Sequence, residues 1–98
     1  MLVLSLLEAR PRHGYELSKL VEQRSGNTLE LQPASLYPIL YKLERKGYIE
    51  GRWVEKANER RKRYYKLSPE GKKALRDMRR VWREFVDAIS NIVEVRNA

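Results

Sequence analysis

The chain has 98 residues, room for one domain with a modest core that a partner subunit would help to cover. Lys and Arg number 21 against 13 Asp and Glu, a net charge of +8 that suits a polyanion, nucleic acid first, and weighs against a cationic partner. The absence of cysteine excludes disulfides, thiolate zinc sites and cysteine nucleophiles, and fits a cytoplasmic location.

Met1 to Leu7 is apolar but has no basic leader and no small-residue cleavage site, and Glu8 cuts it short; it reads as a buried first helix rather than a signal peptide. This helix is expected to reach about Ala9, with Pro11 as its stop. No apolar run approaches the roughly 20 residues that span a bilayer, so a soluble protein without a membrane partner is expected. His13-Gly14 reads as a turn, and Tyr15, Leu17, Leu20, Val21 and Arg24 follow a helical rhythm that Ser25-Gly26 ends. Leu29 and Leu31 alternate with polar residues, which suggests a short extended segment.

Leu36, Ile39, Leu40 and Leu43 give a third helix one buried face, and Gly47 closes it. Its start has two readings: Pro33 as the first helical residue, or Ser35 as the cap with Pro38 in the first turn, of which the second is preferred. Tyr48 to Glu55 and Lys62 to Leu67 are rich in aromatic and β-branched residues around a polar stretch, and predict two antiparallel strands. Ser68-Pro69 starts a long helix expected to run to about Val95, with a frayed Arg96-Asn97-Ala98. The fold class is therefore mainly α with a small β-hairpin wing: a winged helix-turn-helix over residues 1–67, for DNA, and a C-terminal dimerisation helix over 68–98.

The outward face of the third helix carries Ala34, Pro38, Tyr41 and Arg45, flanked by Tyr37, Lys42 and Lys46, and Ser35 joins Ala34, Tyr37, Pro38, Tyr41, Lys42 and Arg45 as a candidate for DNA contact. Small, aromatic and cationic side chains on one helix face suit a major groove, where cations reach guanine acceptors and rings meet thymine methyls. The unbroken run Arg60, Arg61, Lys62, Arg63 makes the hairpin a cationic prong for phosphates, beyond what protection of a sheet edge requires. On the last helix Leu75, Met78, Trp82, Phe85, Ile89 and Ile92 alternate spacings of three and four, the repeat of a helix that pairs with another helix. A two-fold homodimer would present its recognition helices to successive major grooves of an imperfect palindrome. One histidine without cysteine makes a metal site improbable, and no cofactor is expected. The carboxylates Glu16, Glu44 and Asp77 are scattered among helices with no nucleophile beside them, which argues against an enzyme.

His13-Gly14-Tyr15-Glu16-Leu17, then Ser35-Leu36-Tyr37-Pro38 with Leu40, Leu43-Glu44 and Gly47-Tyr48-Ile49, then Arg60 to Ser68 with Gly71, resemble the PadR-like transcriptional regulators over nearly the whole chain. The resemblance implies a winged-helix dimer that usually represses transcription, with the third helix and wing on double-stranded DNA and the last helix in the dimer interface. Its single tail helix resembles the compact branch, some members of which bind flat aromatic compounds between paired tryptophans. Trp82, with Phe85, occupies the matching place for such a small aromatic effector. Members usually carry several residues before the first helix, whereas Met1 here falls at its start, so a short first helix is expected. Two other classes compete: a protein-interaction module using the last helix, and a sequence-indifferent nucleic-acid binder.

Overall fold

The computed structural model describes residues 1–93. Its elements in chain order are α1 (Leu2–Leu7), β1 (Arg12–His13), α2 (Gly14–Arg24), α3 (Pro33–Arg45), β2 (Ile49–Val54), β3 (Lys62–Leu67) and α4 (Pro69–Val93). The expected helix, helix, helix, hairpin, helix order stands. The predicted end of the last helix at Val95 and the frayed 96–98 lie outside the described residues.

α1 buries Val3, Leu4, Leu6 and Leu7, as a helix apolar on most sides must. It ends at Leu7, two residues before the expected Ala9, because Arg12 takes over its end: the buried guanidinium donates from Nε to the Leu6 carbonyl at 2.6 Å. Arg12 and His13 then form a strand that the alternation pattern missed, pairing antiparallel with Tyr65 and Tyr64. The sheet therefore has three strands in the order β1-β3-β2, not the two of a plain hairpin. His13 is also more than a turn residue: its Nδ1 accepts from the Glu16 N–H at 3.2 Å and caps α2. The segment around Leu29 and Leu31 runs into α3 without pairing to the sheet, and is held by Ser18, whose hydroxyl donates to the Leu31 carbonyl.

α3 begins at Pro33, with Gln32 as its extended N-cap. Ser35 is thus inside the helix rather than its cap, and Pro38 lies beyond the first turn, leaving the Ala34 carbonyl without an intrahelical donor. Ala34, Ser35 and Pro38 are all exposed, which puts this part of the helix on its solvent side. Leu36 and Leu40 are buried as expected and Leu43 is half-buried, but Ile39 is 39% exposed and leaves the predicted core face. The helix closes with Gly47 N–H to Glu44 and Tyr48 N–H to Leu43, each at 3.0 Å, which satisfies its last carbonyls.

Both faces of the hairpin have distinct duties, since Ile49 pairs with Leu67, Gly51 with Tyr65 and Trp53 with Arg63 on the inner side. Ile49, Tyr65 and Leu67 join the leucines of α1, α2 and α3 in the core. α4 is joined directly to this core. Ser68 donates its N–H to the Tyr48 carbonyl at 3.0 Å, its hydroxyl donates to the Gly47 carbonyl, and it accepts from Gly71 N–H at 3.0 Å. Gly71 is required there, because a Cβ would lie 1.9 Å from the Tyr48 carbonyl oxygen. Leu75 is 1% exposed within its own domain and Met78 packs beside it, so neither belongs wholly to the expected intermolecular seam. Beyond them Val81, Trp82, Phe85, Val86, Ile89, Ile92 and Val93 are all exposed.

Candidate nucleic-acid interface

The third helix turns its polar face to solvent because Leu36 and Leu40 anchor the opposite side. Ala34, Ser35, Tyr37, Pro38, Tyr41, Lys42 and Arg45 are exposed together, with Tyr41 at 65%. Arg45 lies over the Tyr41 ring, 5.7 Å from its centroid, which limits the freedom of both side chains. Large rings held outward beside cations are the groups that enter a groove.

The wing supplies the second part. Arg60 and Arg61 are exposed at its tip and Lys62 is half-buried where β3 begins. Arg61 stacks over Trp53, 5.0 Å from the ring centroid, and Lys56 over Tyr64 at 5.6 Å. Arg63 departs from the basic run: its guanidinium turns back onto Glu44 of α3, with Nη2 to Oε2 at 3.0 Å and two further contacts at 3.3 and 3.4 Å. The carboxylate holds Arg63 above the ordinary arginine pKa, and the same guanidinium lies over Trp53 and Tyr65. Between wing and helix an open cavity of about 480 Å³ is lined by Tyr15, Tyr37, Trp53, Arg61 and Lys62 among others. Burial, then the charge of Lys62, keeps His13 beside it below the usual histidine pKa, consistent with its acceptor role at Nδ1.

Sequence reasoning missed Trp53, Tyr15 and the inward-facing Glu44. The spacing Ile49-x-Gly51-x-Trp53 was the available signal, since strand alternation places Trp53 on the same face as buried Ile49. The predicted seam residues Trp82, Phe85, Ile89 and Ile92 lie on the exposed stripe of α4, and Trp82 stacks on Phe85 with centroids 5.9 Å apart. Among the described residues no group of His, Asp and Glu could hold a metal ion, and no helix is long and apolar enough to cross a membrane.

Three packed helices, a hairpin with a basic tip and an exposed helix face beside it define a winged helix-turn-helix protein. Residues 3–77 match the family model of the transcriptional regulator PadR-like family, and the chain belongs to that family, whose members are regulators and not enzymes. Its fold is similar to that of a transcriptional regulator from Clostridium thermocellum, with 29% identity, 94% of this chain and 89% of that one covered, and a TM-score of 0.85. A PadR family transcription regulator from Clostridium difficile matches at 30% identity over 94% of this chain and 93% of its own, with a TM-score of 0.80. Bacillus subtilis PadR, solved in complex with operator DNA, is 27% identical with a TM-score of 0.71; the match covers 79% of this chain but 44% of that longer one.

Proposed function

We propose that this regulator binds an imperfectly palindromic operator as a homodimer and represses transcription. The observation that carries the DNA reading is the adjacency of the exposed α3 face and the basic wing tip, which contribute Tyr37 and Arg61 to the lining of one cavity. Bacillus subtilis PadR, with the same fold, has been solved with operator DNA, which supports it. In this reading Ala34, Ser35, Tyr37, Pro38, Tyr41, Lys42 and Arg45 meet bases and backbone, while Arg60, Arg61 and Lys62 neutralise phosphates. Residues 1–67 hold the DNA surface and 68–98 the dimer contact.

Dimerisation is supported by the apolar stripe from Val81 to Val93, which is too large and continuous for ordinary solvent-exposed surface. A shallow depression of about 600 Å³ at Met1, Met78, Val81, Trp82 and Phe85 supports the further reading that a flat aromatic compound settles there and releases DNA. Sequencing of duplexes that the protein retains from a random pool tests the DNA-binding reading and its two-fold symmetry. Enrichment of a two-fold symmetric site is expected; retention without enrichment would favour sequence-indifferent binding, and no retention a protein-interaction module. A promoter reporter bearing the selected site is expected to be silenced by the protein; unchanged or raised output would remove repression from the proposal. Trp fluorescence that stays constant across a panel of planar aromatic compounds would remove the effector.

A further inference from the structure

Arg63 stands directly opposite Trp53 in the ladder, and its guanidinium turns to Glu44 of α3. It lies back along the inner face of the hairpin, over Gly51, and reaches α3. A Cβ at position 51 would come within 2.6 Å of the guanidinium, so the absence of a side chain there opens the path. At its end the guanidinium forks onto Glu44 while its faces rest against Trp53 and Tyr65.

This contact lies where the wing most needs it. β1 reaches only Tyr64 and Tyr65, so the outer rows Trp53/Arg63 and Val54/Lys62 form a bare two-stranded ribbon. Such ribbons twist and sway unless something packs against them. Glu44 is also a carboxylate near a surface that should meet a polyanion, where simple electrostatics disfavours it. Its contact with the Arg63 guanidinium gives it the place of a structural tie.

Resting on the DNA-binding reading above, we propose that Glu44 and Arg63 are positioning residues: their ion pair locks the wing to the recognition helix, and this lock sets the discrimination between operator and random DNA. Arg63 then contributes little to phosphate neutralisation, and Arg61, stacked on the same Trp53, is carried at a fixed distance from Tyr41 and Lys42.

The test compares Glu44→Gln with Glu50→Gln, which removes the same charge from the outer face, where Glu50 pairs with Lys66 at 3.5 Å. Each is titrated with the selected operator and with a scrambled duplex across a salt series. Charge alone predicts tighter binding by both variants to both duplexes. The lock predicts that Glu44→Gln frees Arg63, steepens the salt slope on scrambled DNA by about one charge, and lowers the operator-to-scrambled ratio about tenfold, the size of one lost base-pair reading. Glu50→Gln is expected to keep the wild-type ratio. A Glu44→Gln ratio equal to that of Glu50→Gln overturns the proposal. Arg63→Lys, which keeps the charge but loses the fork, decides the matter if Glu44→Gln does not fold: a lowered ratio supports the lock and a wild-type ratio overturns it. Failure of the wild type to select any operator would instead strike the DNA reading itself.

Discussion

Arg12 and Glu16 form an ion pair at 3.0 Å in which the arginine is almost wholly inside the protein, at 6% exposure, while the glutamate keeps one side open and also binds Arg10. The same guanidinium closes α1 through the Leu6 carbonyl. Burial works to raise the Glu16 pKa, but the hydrogen bonds and charges of the two arginines outweigh it and hold the carboxyl below its ordinary value.

Arg12→Ala is therefore expected to destabilise the domain by about 2 kcal/mol. It leaves a buried carbonyl without a donor, while the retained Arg10 contact softens the loss at Glu16. Chemical denaturation of the variant checks this, and a loss below about 0.5 kcal/mol, the range of an ordinary surface change, would contradict it.

Gly71→Ala should be costlier still. The added methyl group collides with the Tyr48 backbone, which cannot step aside without shifting the end of α3. A loss of about 3 kcal/mol and a lowered melting temperature are expected, and an unchanged melt would show that the joint yields.

At the DNA surface, Arg61→Ala and Lys62→Ala are expected to weaken binding to all sequences and to reduce the salt slope by about one charge each. Tyr41→Ala and Lys42→Ala should instead change which sequences are preferred. Repeating the duplex selection with each variant separates the two behaviours, and identical selections from all would contradict the assignment of α3.

His13 gives the stability a pH dependence with a definite sign. Its folded pKa lies below the ordinary 6.5, so the folded state favours the neutral ring and the unfolded chain binds the extra proton. The contribution is present above pH 6.5 and is lost as pH falls from there toward the folded value. His13→Asn keeps an N-cap without a titrating group and should flatten the melting temperature across that window. Glu8 and Glu16, both lowered, act in a separate window: their contributions are present above pH 4.5 and disappear on further acidification.

On the far stripe, Phe85→Lys or Ile89→Lys is expected to convert a dimer into monomers in sedimentation measurements and to reduce operator affinity, leaving the melting of the winged domain nearly unchanged. A dimer that survives both substitutions would place the contact elsewhere.

The regular elements were legible because leucines on α3 and the aromatic strands of the hairpin repeat at helical and extended periods. Arg12 was not legible, since a cation in a loop reads as surface, and a two-residue strand has no period to detect. Both starts of α3 obeyed the rules for proline, and the choice between Pro33 and Pro38 fell to packing that local sequence does not contain. Leu75 continued the spacing of the exposed stripe because a heptad pattern cannot distinguish a partner helix from the protein's own core. Glu44 and Arg63, 19 positions apart, looked like one scattered acid and one more phosphate-seeking base.

The joint at Gly47, Tyr48, Ser68 and Gly71 makes a lever of the whole molecule. With its 25 residues, α4 is about 37 Å long. It is bolted to the turn that ends α3 without an intervening hinge. With the far end of such an arm held fixed, a rotation of about 5° displaces the near end by about 3 Å, close to the 3.4 Å rise of one base pair. If two such arms pair along the α4 stripe and α3 with the wing meets DNA, as proposed above, small adjustments among the rings of the stripe would be felt at the α3 face as a shift of that size.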